Sequence, residues 1–462
     1  MAIIYCQLGH SQVIEETYPK TIWSANDSFF LKFADYPEVY PYTVSRKNNE
    51  SPGTDAAPGL YVTLYFGKDS LRLNYHNQLP YAHIFYINFE SPKGRTRFRF
   101  HFNEIYSFFP REYVEKNQGS VQFEMPEPYE LANIIWTISP CGEKAKDLNK
   151  QGEYYEKVLS HFRPYLDHPV FAALRGNDSL CASRYYEFRE NSFAFNFNQN
   201  GQLEYNGPYY FVYGNEFADS SVFGKLKPLV EDFAAKSGFR NFYKANKPYY
   251  ERQMERQKQL LPVTQMWKWL EDQFPNTKYN SYKIVSSPLI GGSHSTQNYT
   301  SYLDDVRFAE SVMFIAGTER YDKNKKLNEK QKEGLMSGIV FTEIDHNYVN
   351  PATRKYRAKI DSIFSKRDLW TLKGSSADFY QTAVALFNEY LTHAVFCLYV
   401  LDHYDAQTAA FIIQNRESLM AERRGFTRFA AFNQELVRLK KKYGALKVSA
   451  LYSYILDWCA KQ

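Results

Sequence analysis

The stretch "AVALFNEYLTHAVFCLYVL", residues 383–401, constrains the fold of this chain more than any other. It reads as a helix apolar on most sides, and its polar residues Asn388, Glu389, Thr392 and His393 fall at i and i+4 spacing, in a single stripe. The length approaches that of a membrane span. Four polar groups in its middle would be costly in lipid, however, so a protein core is the expected setting and no membrane span is expected. A buried carboxylate and imidazole require partners. Two answers stay open: Glu389 and His393 bond to each other and anchor the helix, or they meet a metal or groups from elsewhere in the chain.

A second segment supplies such groups. "EKQKEGLMSGIVFTEIDHNYVNP" places Leu335, Met336, Ile339, Val340, Ile344 and Val349 near helical spacing, with Pro351 the first residue able to stop the helix. Glu343 and His346 are then three apart, about 60° around the axis, and can reach one point. A Glu and a His at this spacing are common in proteins. The stripe at 388–393 is what gives this pair a counterpart.

Around these helices the chain divides in three. Residues 1–125 carry short aromatic or β-branched runs ("LYVTLYFG", "SLRLNYH", "AHIFYINFE", "TRFRFHFNEI") bounded by turn residues, the pattern of an antiparallel β domain, with 45–59 as a polar loop. Residues 126–275 read as mainly helical, with "SFAFNFNQNGQLEYNG" a hairpin around Asn200-Gly201. Residues 276–462 open with the strands "KYNSYKIVSSPLIGG" and "ESVMFIAG" and become all-helical from Asn328. The expected class is α+β.

Composition excludes several functions. A net charge of +5 over 462 residues is mild, and the Lys/Arg clusters at 323–334 and 438–444 lie on helix faces, so no nucleic-acid partner is expected. Five scattered cysteines without C-x-x-C spacing argue against a disulfide scaffold or a zinc ribbon. The aromatic fraction of 18% is high and favours large cores with rings left over for a groove. No G-x-S-x-G elbow, G-x-G-x-x-G or Walker sequence occurs.

The order of a strand, a helix with Glu-x-x-His and a second buried helix with Asn-Glu resembles the gluzincin zinc metallopeptidases. "SYKIVSSPLIGG" stands as the edge strand, "TEIDH" on the first helix and "FNEY" on the second. With "FYKANKPYYERQ", the text also resembles an uncharacterised bacterial family of gluzincin-like secreted proteins, domain of unknown function 4932, common in Bacteroidetes; the likeness spans roughly 125–420. The resemblance implies a mainly helical domain with a small sheet and a peptide or protein substrate held along the edge strand by main-chain bonds. It implies zinc as cofactor, His346 and Glu389 as ligands and Glu343 as the general base acting on a metal-bound water.

Thr342 departs from the pattern, because it stands where the first histidine ligand belongs and a neutral hydroxyl is a poor zinc donor. His393, about 6 Å further along the helix than Glu389, is the candidate replacement ligand; otherwise it orients Glu389 or stabilises an oxyanion. Candidate substrate contacts are His294 in the loop "GGSHSTQ", and Tyr348 and Tyr390 as oxyanion donors. Asp402, His403 and Asp405 read as an exposed helix end. "MAIIYCQLGHSQVIEE" shows no signal peptide, while the resemblance implies a periplasmic or secreted protein once a leader is removed. Two functions follow: a metal-dependent peptidase-like hydrolase, or a pseudoenzyme that keeps the cleft to bind peptides or glycans without cutting them.

Overall fold

A computed structural model describes residues 109–462, with gaps at 176–183, 206–208, 210–221, 293 and 304–305, and the backbone of seven strands before them. Those strands are β1 (Gln12–Tyr18), β2 (Ser28–Lys32), β3 (Tyr42–Lys47), β4 (Tyr61–Phe66), β5 (Asp69–Asn74), β6 (Ile84–Ser91) and β7 (Gly94–Phe102). They form an antiparallel sheet β3-β4-β5 and a four-stranded sheet β1-β7-β6-β2. In the second sheet β6 and β7 are antiparallel, while β1 and β2 add to its edges in parallel. Most of the expected polar loop at 45–59 lies outside the described residues.

The rest of the chain is built on both faces of one sheet. Strand β8 (Val121–Glu124), the hairpin β9 (Phe195–Phe197) and β10 (Leu203–Tyr205), β11 (Ser281–Ser287), β12 (Ser295–Leu303) and β13 (Val306–Ala316) follow in order. The sheet runs β12-β13-β11-β8, with β11 parallel to both neighbours and β12 antiparallel to β13. Its two faces serve two cores. Tyr282, Ile284, Met313 and Ile315 pack against helices from Val263 onward; Val285, Val312 and Phe314 pack against helices between Glu127 and Leu260. The class is therefore α+β, with a mainly helical C-terminal part.

Two expectations are corrected by this sheet. Strand β11 is not an edge: all seven of its residues are buried between β13 and β8, as a parallel strand covered on both faces should be. The outer strand beside the motif is β12, whose text "STQNYTSYL" had no apolar face to announce it. Strand β8, on the N-terminal side of the boundary read at 125, pairs with β11 and so belongs to the sheet β12-β13-β11-β8.

Local signals elsewhere fold as the residues dictate. The hairpin turns at Gly201, whose φ of 79° suits glycine best. The motif helix, Glu329–Thr353, starts at a capping box between Asn328 and Gln331 and carries Pro351 in its last turn. The stripe helix, Ala383–His403, is capped by Thr382 and ends before Asp405, which caps the helix Ala406–Ser418. By length and composition the stripe helix could cross a membrane, yet 83% of its most apolar window is buried within the protein. Each large apolar side chain it buries, such as Leu386, Phe387, Val395 and Phe396, contributes roughly 1.5–3 kcal/mol. That surplus tolerates a polar stripe. Cys141 is disulfide-bonded, while Cys397 and Cys459 are buried free thiols.

Candidate functional site

The polar stripe faces the motif helix. Thr353 on the motif helix donates to Asn388 Oδ1 at 2.7 Å, Thr392 Oγ1 lies 3.5 Å from His346 Nδ1, and His346 Nε2 lies 3.5 Å from Glu389 Oε2. Glu343, His346 and Glu389 line a cleft of about 610 Å³ with His294, Ser295, Thr296 and Asn298 from the start of β12. Asn298 donates to Asn347 Oδ1 at 2.7 Å, and Thr296 Oγ1 to the Glu343 carbonyl at 3.2 Å, which fixes strand against helix. Tyr186, Glu187, Asn350 and Tyr380 complete the lining.

Glu389 is the electrostatic centre. Its side chain is 4% exposed. His393 Nε2 lies 3.0 Å and Arg424 Nη2 2.7 Å from its Oε1, while among the described residues Oε2 has His346 as its polar neighbour. Burial alone would raise this carboxyl; the bonds from His346 and His393 and the charge of Arg424 overcome it and hold it well below the usual range. Burial would likewise lower His346, but Glu389, with the charges of Glu343 and Asp345, pushes it up to about 9. At neutral pH His346 and Glu389 are an ion pair.

Glu343 behaves in the opposite way. Burial pushes it up to about 7, and the charge of His346 only partly offsets that. Asp345, fully buried, is raised well above its ordinary value by the same cause, and neither of its oxygens meets a hydrogen-bond donor at normal geometry.

Sequence reasoning left open whether His393 reaches the centre. It reaches Glu389, from the side away from the cleft, and both ring nitrogens are engaged. Arg416 donates to Nδ1 at 2.9 Å, and Arg424 Nη1 lies 2.7 Å from Nε2. A guanidinium is a donor only, so a neutral ring that accepts from Arg416 turns its Nε2 proton toward Glu389. Burial and the two arginines press His393 down to about 3, against the pull of Glu389, which keeps it neutral.

These residues do not fit a three-ligand zinc site. His346 and Glu389 could supply two donors. Thr342 turns its hydroxyl back to its own helix, toward Gly338 O at 3.0 Å and Ile339 O at 2.9 Å. His393 has no lone pair to give without displacing an arginine, which corrects its expected role as replacement ligand. Among the described residues no group of three or more His, Cys, Asp or Glu is placed to hold a metal.

The other candidates divide. His294 lines the cleft as expected; it accepts from Ala316 N at 3.3 Å, and burial, with Arg320 and Arg189, lowers it to about 3. Tyr348 and Tyr390 are corrected: both are fully buried in the core. Tyr348 bonds Tyr282 OH at 2.7 Å, and Tyr390 donates to the Trp370 carbonyl at 2.5 Å. The phenol that does line the cleft is Tyr380, which accepts from Arg424 Nη2 at 2.6 Å and bonds the Glu389 carboxylate. The expected helix end at 402–405 is as read, with Asp402 accepting from Trp269 Nε1 at 2.8 Å. Arg424, Arg416, Tyr380 and Asp345 are the site groups that sequence reasoning missed. No protein-family model, curated protein or solved structure matches the chain.

Proposed function

We propose that the chain is a peptide-binding protein on a gluzincin-like frame, in which the site of a catalytic metal has been rebuilt as an ion-pair network. The observation that carries this is Arg424, whose guanidinium sits 2.7 Å from Glu389 Oε1, on the carboxylate that the resemblance implies as a ligand. A cation fixed there repels a second one. The cleft beside it suits an extended peptide: the exposed Asn298 and Asn350 stand along one wall, and Tyr380 lines the cleft with its phenol. Its polar lining favours a segment with amide-rich side chains.

A second reading keeps hydrolysis, and one observation favours it: Glu343, at about 7, is in the range of a general base. Metal analysis and a peptide-library screen on the purified protein separate the two. The binding reading expects no stoichiometric zinc at micromolar free metal and retention of intact peptides. Stoichiometric zinc abolished by Glu389→Ala, or peptide cleavage abolished by Glu343→Gln, would overturn it.

A further inference from the structure

The sheet has a second outer strand, β8, on the side away from the candidate cleft. Its four residues, Val121 to Glu124, all line a groove of about 510 Å³ together with Tyr113, Lys116, Lys258 and Lys283. The main-chain direction along β8 follows from one bond. Tyr282 N donates to the Ser120 carbonyl at 3.1 Å, and with Tyr282 opposite Val121 in a parallel ladder the main-chain groups of residues 120, 122 and 124 point toward β11. Those of Val121 and Phe123 therefore point outward, and among the described residues no hydrogen bond takes them up.

The groove floor is charged. Lys283 is 4% exposed and its ammonium lies 3.0 Å from both Glu124 Oε1 and Tyr209 OH, beneath the rings of Tyr113 and Tyr209. Two of its three protons are thereby placed. Glu124 is itself more than a third exposed and can exchange with an incoming carboxylate. Lys116 and Lys258 stand exposed at the rim. Short, lysine-flanked edges also occur as protection against aggregation. Lys283, buried and paired with Glu124 at the bottom of the groove, puts no free charge on the outer edge and so gives no such protection.

We propose that the β8 groove is a docking site for an extended acidic peptide, which adds as a fifth strand through Val121 and Phe123 and places a carboxylate on Lys283 between Lys116 and Lys258. This site is independent of the reading of the Glu389 cleft, since it shares no residue with it. Main-chain bonds supply affinity that tolerates sequence, and the lysines select for acidic side chains.

The test is hydrogen exchange of the full chain with a capped Glu-Val-Glu-Val-Glu-Val peptide. The Val121 and Phe123 amides should exchange rapidly in the free protein and become at least about tenfold protected on binding. Lys116→Glu with Lys258→Glu, both at exposed positions, should weaken binding about tenfold or more, and a Lys-Val peptide should not bind. Absence of protection, or indifference to the rim substitutions, would overturn the proposal. Free succinate competing as well as the peptide would make the groove a small-anion site and overturn the strand addition.

Discussion

Replacing Arg424 by Gln removes the cation 2.7 Å from Glu389 Oε1 and 2.7 Å from His393 Nε2. The Glu389 side chain is 4% exposed, so its charge is left in a poorly solvated place. Losing one partner of a buried pair costs about 3–5 kcal/mol. Two features lower that figure: His346 remains 3.5 Å from the other oxygen, and the Arg424 side chain is 23% exposed, so water can follow the guanidinium out. A loss of about 2–3 kcal/mol is expected, read as a lower urea midpoint at pH 7 with an unchanged slope. The same change removes the positive charge beside Glu389, and Thr342→His in addition places an imidazole one turn before His346. Wild type and the Thr342→His single variant should hold no stoichiometric zinc. The double variant should hold one, with three protein ligands and an open fourth position, and zinc at about 100 times its dissociation constant should return roughly 2.7 kcal/mol. The metal would then offset the whole loss. Equal zinc affinity in the single and double variants would refute Arg424 as the excluding cation. A destabilisation under about 0.5 kcal/mol would place the Arg424 pair with surface salt bridges and refute the burial argument.

Three further outcomes follow from the same geometry. Glu343 is raised to about 7 by burial; because its folded value lies above the unfolded one, the folded state keeps a proton longer and stability falls as pH rises from about 4.5 to 7, by roughly 1–3 kcal/mol. Denaturation across that window should lose this slope in Glu343→Gln, and an unchanged slope would assign the titration elsewhere. Gly338→Ala would put a Cβ 1.9 Å from Arg416 Nη2 and 2.9 Å from the Phe396 ring, so urea denaturation should show a loss of about 1–3 kcal/mol; an unaltered midpoint would mean the two helices separate freely. Tyr348→Phe leaves the buried Tyr282 hydroxyl without its partner and should cost about 1–2 kcal/mol with no change in peptide binding, since Tyr348 does not reach the cleft; altered binding would contradict its placement.

The stripe at 388–393 was legible because polar groups on an otherwise apolar helix have few places to go, and the Glu-x-x-His face of the motif helix was the nearest in type. The hairpin at Gly201 and the cap at Asn328 were legible because their signals are local. Arg416 and Arg424 were not. They lie in "QNRESLMAERRGF", a charge-rich text that reads as a solvated helix face, and the fold alone carries them to His393, with a π-helical turn at Leu419–Arg423 just before Arg424. Strand β12 was hidden for a different reason. Ser295, Gln297, Tyr299 and Ser301 are its buried face, and Ser295 and Gln297 bond the carboxylate of Glu190, itself paired with the fully buried Arg189 at 2.8 Å. A strand that buries its side chains against an ion pair carries no hydrophobic alternation for a reader to find.

The charges at the centre of the cleft come from the chain's own side chains. Glu389 is ionised, His346 is its charged partner and Glu343 is only partly ionised, so the three carry little net charge. Two guanidiniums stand beside them. Arg424 touches Glu389 directly, and Arg416, which burial lowers only to about 10 and which therefore stays charged, reaches it through His393. Together they bring positive charge to the Glu389 carboxylate from the chain itself. Unlike an ion, they are covalently part of the chain and have no open coordination position, so they can hold the carboxylate ionised but cannot activate a water. The centre of the cleft is thus a fixed salt bridge.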